Sequence, residues 1–221
     1  MIDWHEVAAL AARMPLPEGY SLSLLQPAEV SVLIDHLRAW FPDIGVGSAS
    51  GYLREAFYAE RVFFEHRTQR PVLVLLQRRG DEIAGMFAFE CDWQAMSIHA
   101  QVGAAAPGHR GSALVRTGMA FTEQLGRRLG MGLVYGMATL KAPHAQRAFE
   151  GAGWQLIGIA PGLDRELVAP GTVRRVYEAV YAKPLGGEHA LQQPRPENMT
   201  PSTRALFERL FGTRSASAAC G

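Results

Sequence analysis

Two cysteines in 221 residues, Cys91 and Cys220, are too few and too far apart to frame a disulfide scaffold, and they read as reduced thiols. No apolar run nears the roughly 20 residues that a membrane helix requires. The opening stretch "MIDWHEVAALAARMP" sets Asp3, His5 and Glu6 ahead of its short apolar run, the wrong order of charge for a secretory leader. Charge of one sign is also missing. With 22 basic and 21 acidic residues the net charge is +1, so nothing draws the chain to nucleic acid or a membrane surface. Metal-ligand spacing, a G-x-G-x-x-G fingerprint and a P-loop are all absent, so no metal or dinucleotide is expected. These absences lead to the expectation of a soluble, cytoplasmic protein.

What is present is a patterned chain that is 48% hydrophobic. Residues 2–13 read as a short amphipathic helix and "YSLSLLQ" as a strand. Val30, Leu33, Ile34, Leu37 and Trp40 fall at helical spacing before Pro42, and Ser48 or Ser50 is expected to cap a second helix through Phe64. "RPVLVLLQRR" and "IAGMFAFECDW", parted by "GDE", predict a hairpin, and "SIHAQVGAAA" a third strand. A helix over 112–129, a buried strand "GLVYGMATL", a helix in "PHAQRAFEGAG" and strands "WQLIGIA" and "VRRVYEAVYA" follow. The order is α/β (α+β) with a mixed, mostly antiparallel central sheet of about seven strands flanked by helices. We expect an N-terminal helical extension over 1–19, a main domain over 20–185, and a linker, short helix and mobile tail over 186–221.

The stretch "AAAPGHRGSALVRTG" (104–118) places Arg110, Gly111 and Ser112 where a strand ends and a helix begins. A helix N-terminus offers unpaired N–H groups and a positive dipole end, which together suit an anion. Arg110-Gly111-Ser112-Ala113-Leu114-Val115 after Pro107, with Phe149-Glu150-Gly151-Ala152-Gly153-Trp154 downstream, resembles the GNAT superfamily of N-acyltransferases over residues 20–183. The resemblance implies acetyl-CoA or another acyl-CoA as co-substrate and an amine acceptor on a small molecule or protein. It also implies a possible homodimer. Amides from Gly111 through Ser112, Ala113 and Leu114 to Val115 would ring the pyrophosphate, with Arg110 positioning the loop or adding charge. Gly103 and Ala105 would pair with pantetheine amides. Acceptor selectivity would lie in helices and loops near 28–66 and 160–172. The chain departs from the family at Ala113 and Val115, where glycine is usual, and at Phe149, where many members carry a proton-donating tyrosine. A GNAT-fold protein that binds acyl-CoA, or assembles with a partner, without turnover is therefore the alternative.

Acyl transfer to an amine needs a base with a pKa near working pH. His99, eleven residues before Arg110, is the first candidate, and Glu90 is the second. Glu90 and Asp92 share a strand face by period two, and a solvated strand end is their plainer reading. Cys91 points the other way as a buried thiol, and Tyr135 and Tyr177 read as core aromatics. His144 opens the later helix and reads as structural.

The turn generates a first prediction. Gly111→Pro removes one amide donor and distorts the loop, so CoA affinity measured by calorimetry should fall more than tenfold, about 1.4 kcal/mol. Unchanged affinity in the folded variant defeats the anion-loop reading.

Overall fold

Strands β2 (Val72–Arg79) and β3 (Glu82–Asp92) are apolar on both faces, and both faces are buried. That pattern demands a layer of helices on each side of a sheet. Leu73, Leu75, Phe87 and Phe89 enter one core with α1 (Trp4–Ala12), α4 (Leu114–Arg128) and α5 (His144–Gly151). Val72, Val74, Leu76, Met86 and Ala88 enter the other with α2 (Val30–Trp40) and α3 (Glu55–Arg61). The computed structural model describes residues 3–67, 69–110, 114–187 and 190–212.

The sheet is completed by β1 (Tyr20–Leu24), β4 (Ser97–Ala105), β5 (Leu133–Thr139), β6 (Gln155–Ala169) and β7 (Thr172–Pro184), in the order β1-β2-β3-β4-β5-β7-β6. Every neighbouring pair is antiparallel except β4 with β5. This is the mixed, mostly antiparallel seven-stranded sheet expected from the element order. The chain divides into two compact units, Met1–Leu185 and Gly186–Gly221. In the second, α6 (Pro201–Phe211) starts on a Thr200 cap that accepts from the Thr203 amide at 3.3 Å, and Phe207 packs on Phe211. Cys220 and residues 213–221 lie outside the described residues.

Four local expectations are corrected. The stretch from Ser48 to Phe64 is not one capped helix. A 3₁₀ turn over Ser48–Leu53 precedes α3, and neither serine caps, because Ser48 Oγ donates to Asp164 at 2.6 Å and Ser50 Oγ to the Gly47 carbonyl. Residues 160–169 are strand, not loop, so β6 and β7 form a long hairpin with register shifts near Ile157, Gly162 and Val168. β5 alternates buried and half-buried residues instead of being buried throughout. Tyr177 is 59% exposed and Tyr135 half-buried, so neither is a core aromatic. The helix of the N-terminal extension, α1, packs on the α4-side core: Trp4, Val7, Leu10 and Ala11 are buried, and Trp4 stacks on Phe63 at 5.3 Å.

One buried charge joins the pieces around α4. The Glu123 carboxylate, 8% exposed, accepts from Trp154 Nε1 at 2.9 Å and from Lys183 Nζ at 2.8 and 2.9 Å. Lys183 also donates to the Ala152 carbonyl, so α4, the turn after α5 and β7 share one hub. Removing the carboxylate leaves the buried Trp154 indole N–H without its acceptor and Lys183 with only the Ala152 carbonyl, which costs more than the pair contributes. Glu123→Ala should lower stability by about 3 kcal/mol in urea unfolding. A loss under about 1 kcal/mol would mean that Lys183 simply escapes to water.

Candidate functional site

β4 and β5 pair in parallel over four steps only, from Ser97↔Leu133 to Ala100↔Gly136. β4 then runs on to Ala105 and β5 to Thr139 with no pairing between them. Each strand carries a local irregularity where the pairing ends. On β4 the register with β3 jumps from Phe89↔Ala100 to Ala88↔Val102, so Gln101 is an extra residue and the strand bends there. On β5, the Phe149 ring presses against Gly136 from the α5 side. A Cβ on Gly136 would lie 2.6 Å from Phe149 Cζ and 3.2 Å from the Ala100 carbonyl oxygen, so only glycine fits. The strands part into a fork, and among the described residues no strand pairs with the inner edge of β4 from Gln101 to Ala105.

The start of α4 stands beside that edge. Val115 Cγ1 lies 3.8 Å from the place a Gly103 Cβ would take, and Val115 packs on the α4-side core. Its branched side chain therefore points inward from the helix surface. Gly103 is exposed and Ala105 half-buried, which leaves the edge bare of bulky side chains. Leu114 is fully buried, and its carbonyl accepts from Gln77 Nε2 at 2.5 Å. Gln77 is 1% exposed and was missed in the sequence; one polar residue closing the run "VLVLLQ" was its signal. Gly111, Ser112 and Ala113 lie outside the described residues. Arg110 turns its guanidinium to the end of α2, donating to the Trp40 carbonyl at 2.8 Å and lying 5.2 Å over the Phe41 ring. His109 is buried, with Nδ1 2.8 Å from Tyr20 Oη and Nε2 3.4 Å from Glu82, which clamps the turn to the sheet.

Period two places His99 on the α2/α3 face, opposite Glu90 on β3 and Tyr135 on β5. The His99 and Tyr135 rings stack 4.7 Å apart and nearly parallel. Burial holds the His99 imidazole below its ordinary 6.5, which favours the neutral, proton-accepting form. Burial, then the charges of Asp92 and Glu90, push the Tyr135 phenol up, so it stays protonated. Glu90 is engaged on both oxygens, by Arg61 on one and by Gln101 Nε2 at 2.6 Å on the other. Gln101 Oε1 in turn accepts from Tyr52 Oη at 2.6 Å. Gln101 carries no pattern in the sequence, and Tyr52 reads there only as part of the apolar surface of the helix expected through Phe64. Asp92 caps a turn, accepting from the Gln94 and Ala95 amides. Cys91 is buried on the opposite face, with burial pushing its thiol up to about 12.

Phe149 does not open onto the fork. It is 5% exposed and stacks on Tyr181 at 5.1 Å, whose hydroxyl donates to Glu150. The open half of the α2/α3 face continues over β5, β7 and β6, where Glu178 is raised by burial and by the nearby Asp164 and Glu166 carboxylates. Burial would also raise Asp164, but the bonds from Ser48 and the Arg165 amide outweigh it and hold that carboxyl low. Among the described residues no group of three His, Cys, Asp or Glu side chains could hold a metal ion, and no helix is long and apolar enough to cross a membrane.

No family model and no curated protein matches the sequence. Solved structures do match the fold. YncA of Salmonella typhimurium, assigned as an acetyltransferase and solved with its cofactor acetyl-CoA, superposes with a TM-score of 0.56 at 17% identity, over 80% of this chain and 100% of that one. Dodecameric spermidine N-acetyltransferase from Vibrio cholerae, in an intermediate state, gives 0.57 at 15% identity, over 77% and 96%. RimL, the ribosomal L7/L12 alpha-N-protein acetyltransferase, gives 0.56 at 10% identity, over 78% and 97%. The chain thus has the GNAT-like α/β fold, with its open seven-stranded mixed sheet and flanking helices.

The stacked pair generates a titration. In an NMR titration the His99 imidazole should protonate with a midpoint below 6.5, and Tyr135→Ala should move that midpoint upward by admitting water to the ring. A wild-type midpoint at or above 6.5 would refute the account of a desolvated base.

Proposed function

We propose that the protein is an N-acyltransferase that moves an acyl group, acetyl first of all, from acyl-CoA to an amine of a small molecule or protein. The observation that carries this reading is the fork between β4 and β5 beside the start of α4. An unpaired strand edge suits an extended, amide-bearing chain, and a helix start suits a pyrophosphate. In this reading Gly103 and Ala105 bind the pantetheine amides, and the amides from Gly111 to Val115 face the pyrophosphate. Phe149 keeps β5 in place behind Gly136. The fold neighbour YncA, solved with acetyl-CoA, supports the choice of co-substrate. The reading calls for no metal. It carries a cytoplasmic setting and a homodimer, and sedimentation of the purified chain would check the dimer.

The thioester supplies an activated acyl carbon when bound. The acceptor nitrogen forms the new C–N bond as the C–S bond breaks, the amine proton passes to His99 directly or through one water, and the thiolate takes a proton from solvent. His99 is suited to this by its neutral imidazole, and Glu90, held by Arg61 and Gln101, stands second. Phe149 has no proton to give. On the same open face Glu90 and Glu166 are already paired with Arg61 and Lys141, and Glu178 is the carboxylate that would meet an acceptor arriving as a cation.

Calorimetry with CoA and acetyl-CoA, followed by thiol release with a panel of amines, tests the reading. Tight CoA binding with no transfer to any amine would favour the non-catalytic alternative. With an active acceptor, His99→Ala should lower turnover by roughly 10²- to 10⁴-fold with CoA affinity little changed. The acid limb of kcat/KM should lie below pH 6.5, because protonation of His99 removes the base and burial delays that protonation to lower pH. A limb above 6.5, or full turnover in His99→Ala, moves the role elsewhere.

A further inference from the structure

The strand carboxylates around the open part of the α2/α3 face are engaged, with one exception. Arg61 and Gln101 hold Glu90, and Asp92 accepts from the amides of its own turn. Glu166 meets Lys141 Nζ at 2.9 Å. Asp164 accepts from the Ser48 hydroxyl at 2.6 Å and from the Ser48 amide at 3.0 and 3.1 Å. Glu178 is the exception: it is half-buried, and among the described residues no cation and no hydrogen-bond donor engages it. The charges that act on it, Asp164 and Glu166, are of its own sign, and burial followed by these pushes its carboxyl up. A half-buried carboxylate in such surroundings gains from any cation that a ligand brings to it.

Its place on the sheet says which cation that is. Period two puts Tyr135, Met137 and Thr139 of β5 on this face, with Ala182, Val180 and Glu178 of β7 opposite them. Tyr135 carries the stacked His99 ring, so His99 and Glu178 stand at the two ends of one strip, with the half-buried Met137 and Val180 between them. Four residues of β5 separate the ends, about 13 Å along the strand. The nitrogen that attacks at His99 must be neutral, and a carboxylate in contact with it would hold it protonated. Glu178 therefore serves a different nitrogen. We infer that Glu178 is a specificity-determining residue that binds a second cationic group of the acceptor, so that the substrate class is a small amine with a further cation beyond an apolar spacer. The inference rests on the acyltransferase reading and assigns the far end of its acceptor site. The spacer lies over Met137 and Val180, the remote cation meets Glu178, and the near amine is left free to give its proton to His99.

Thiol release from acetyl-CoA by wild type and Glu178→Gln tests this, with hexamethylenediamine, ethylenediamine and hexylamine as acceptors. Calorimetry of the same amines gives a readout that needs no turnover. In wild type, kcat/KM for hexamethylenediamine should exceed that for hexylamine by about tenfold or more, and ethylenediamine, too short to span the strip, should lack the advantage. Glu178→Gln keeps the shape and removes the charge, so it should bring the diamine-to-hexylamine ratio down to about one, chiefly through KM. A wild-type ratio near one, or the same ratio in both proteins, overturns the proposal. If no amine is acylated, the acyltransferase reading falls and calorimetry decides the rest. Hexamethylenediamine binding that weakens about tenfold in Glu178→Gln still places the cation at Glu178, whereas absent or equal binding removes it.

Discussion

The structure depends on a pairing that stops early. Four parallel steps join β4 to β5, the last of them a close approach at Gly136 beneath the Phe149 ring, and the strands part at the extra residue Gln101. Had the ladder continued, the inner edge of β4 would be satisfied by β5 and the start of α4 would overlook an ordinary sheet. Because it stops, backbone polar groups remain at the edge in a place lined by glycine and alanine. Unpaired backbone groups need partners, and at a fork the partner must come from outside the sheet.

The two sides of the sheet treat this opening differently. On the α4 side the centre of the sheet is packed: Phe149 stacks on Tyr181 with Trp154 tilted against it, α4 rests directly on Phe87, and Glu123 ties helix to strand. That side fixes the geometry of the fork and leaves little room for chemistry. On the α2/α3 side the helices cover β2 and β3 and leave β5, β7 and β6 partly open, and the titratable groups gather there. His99 sits at the boundary, stacked on Tyr135 and opposite Glu90. Burial penalises its charged form and so favours the neutral one, which is the form a proton acceptor needs.

The sheet and most helices were legible because they rest on local periodicity: the leucine run of β2, the 3.6-residue spacing of α2 and α4, and the Arg110-Gly111 step between strand and helix. What was not legible depends on distant partners. Ser48 looks like a cap, but its hydroxyl is claimed by Asp164, 116 residues away. Glu123 looks like one more solvated charge on a helix until Trp154 and Lys183 close around it. Arg110 looks like a phosphate ligand until Trp40 and Phe41 are seen beside it. The extension of β6 past Pro161 and Gly162 was hidden because those residues normally end strands, and here they sit at a register shift that absorbs them.

The broken register of that hairpin also matters to the protein in concentrated solution. β6 is an edge strand of fifteen residues with Ile157, Ile159, Leu163 and Val168 exposed, the kind of edge that invites a foreign strand to add on. Between its shifts, however, the paired runs are only Gly158–Pro161 and Asp164–Leu167, and Pro161 has no amide hydrogen to give. A flat incoming strand can match the ladder for only about four residues before the spacing fails. The irregularities that shape the hairpin thus also guard its outer edge against aggregation.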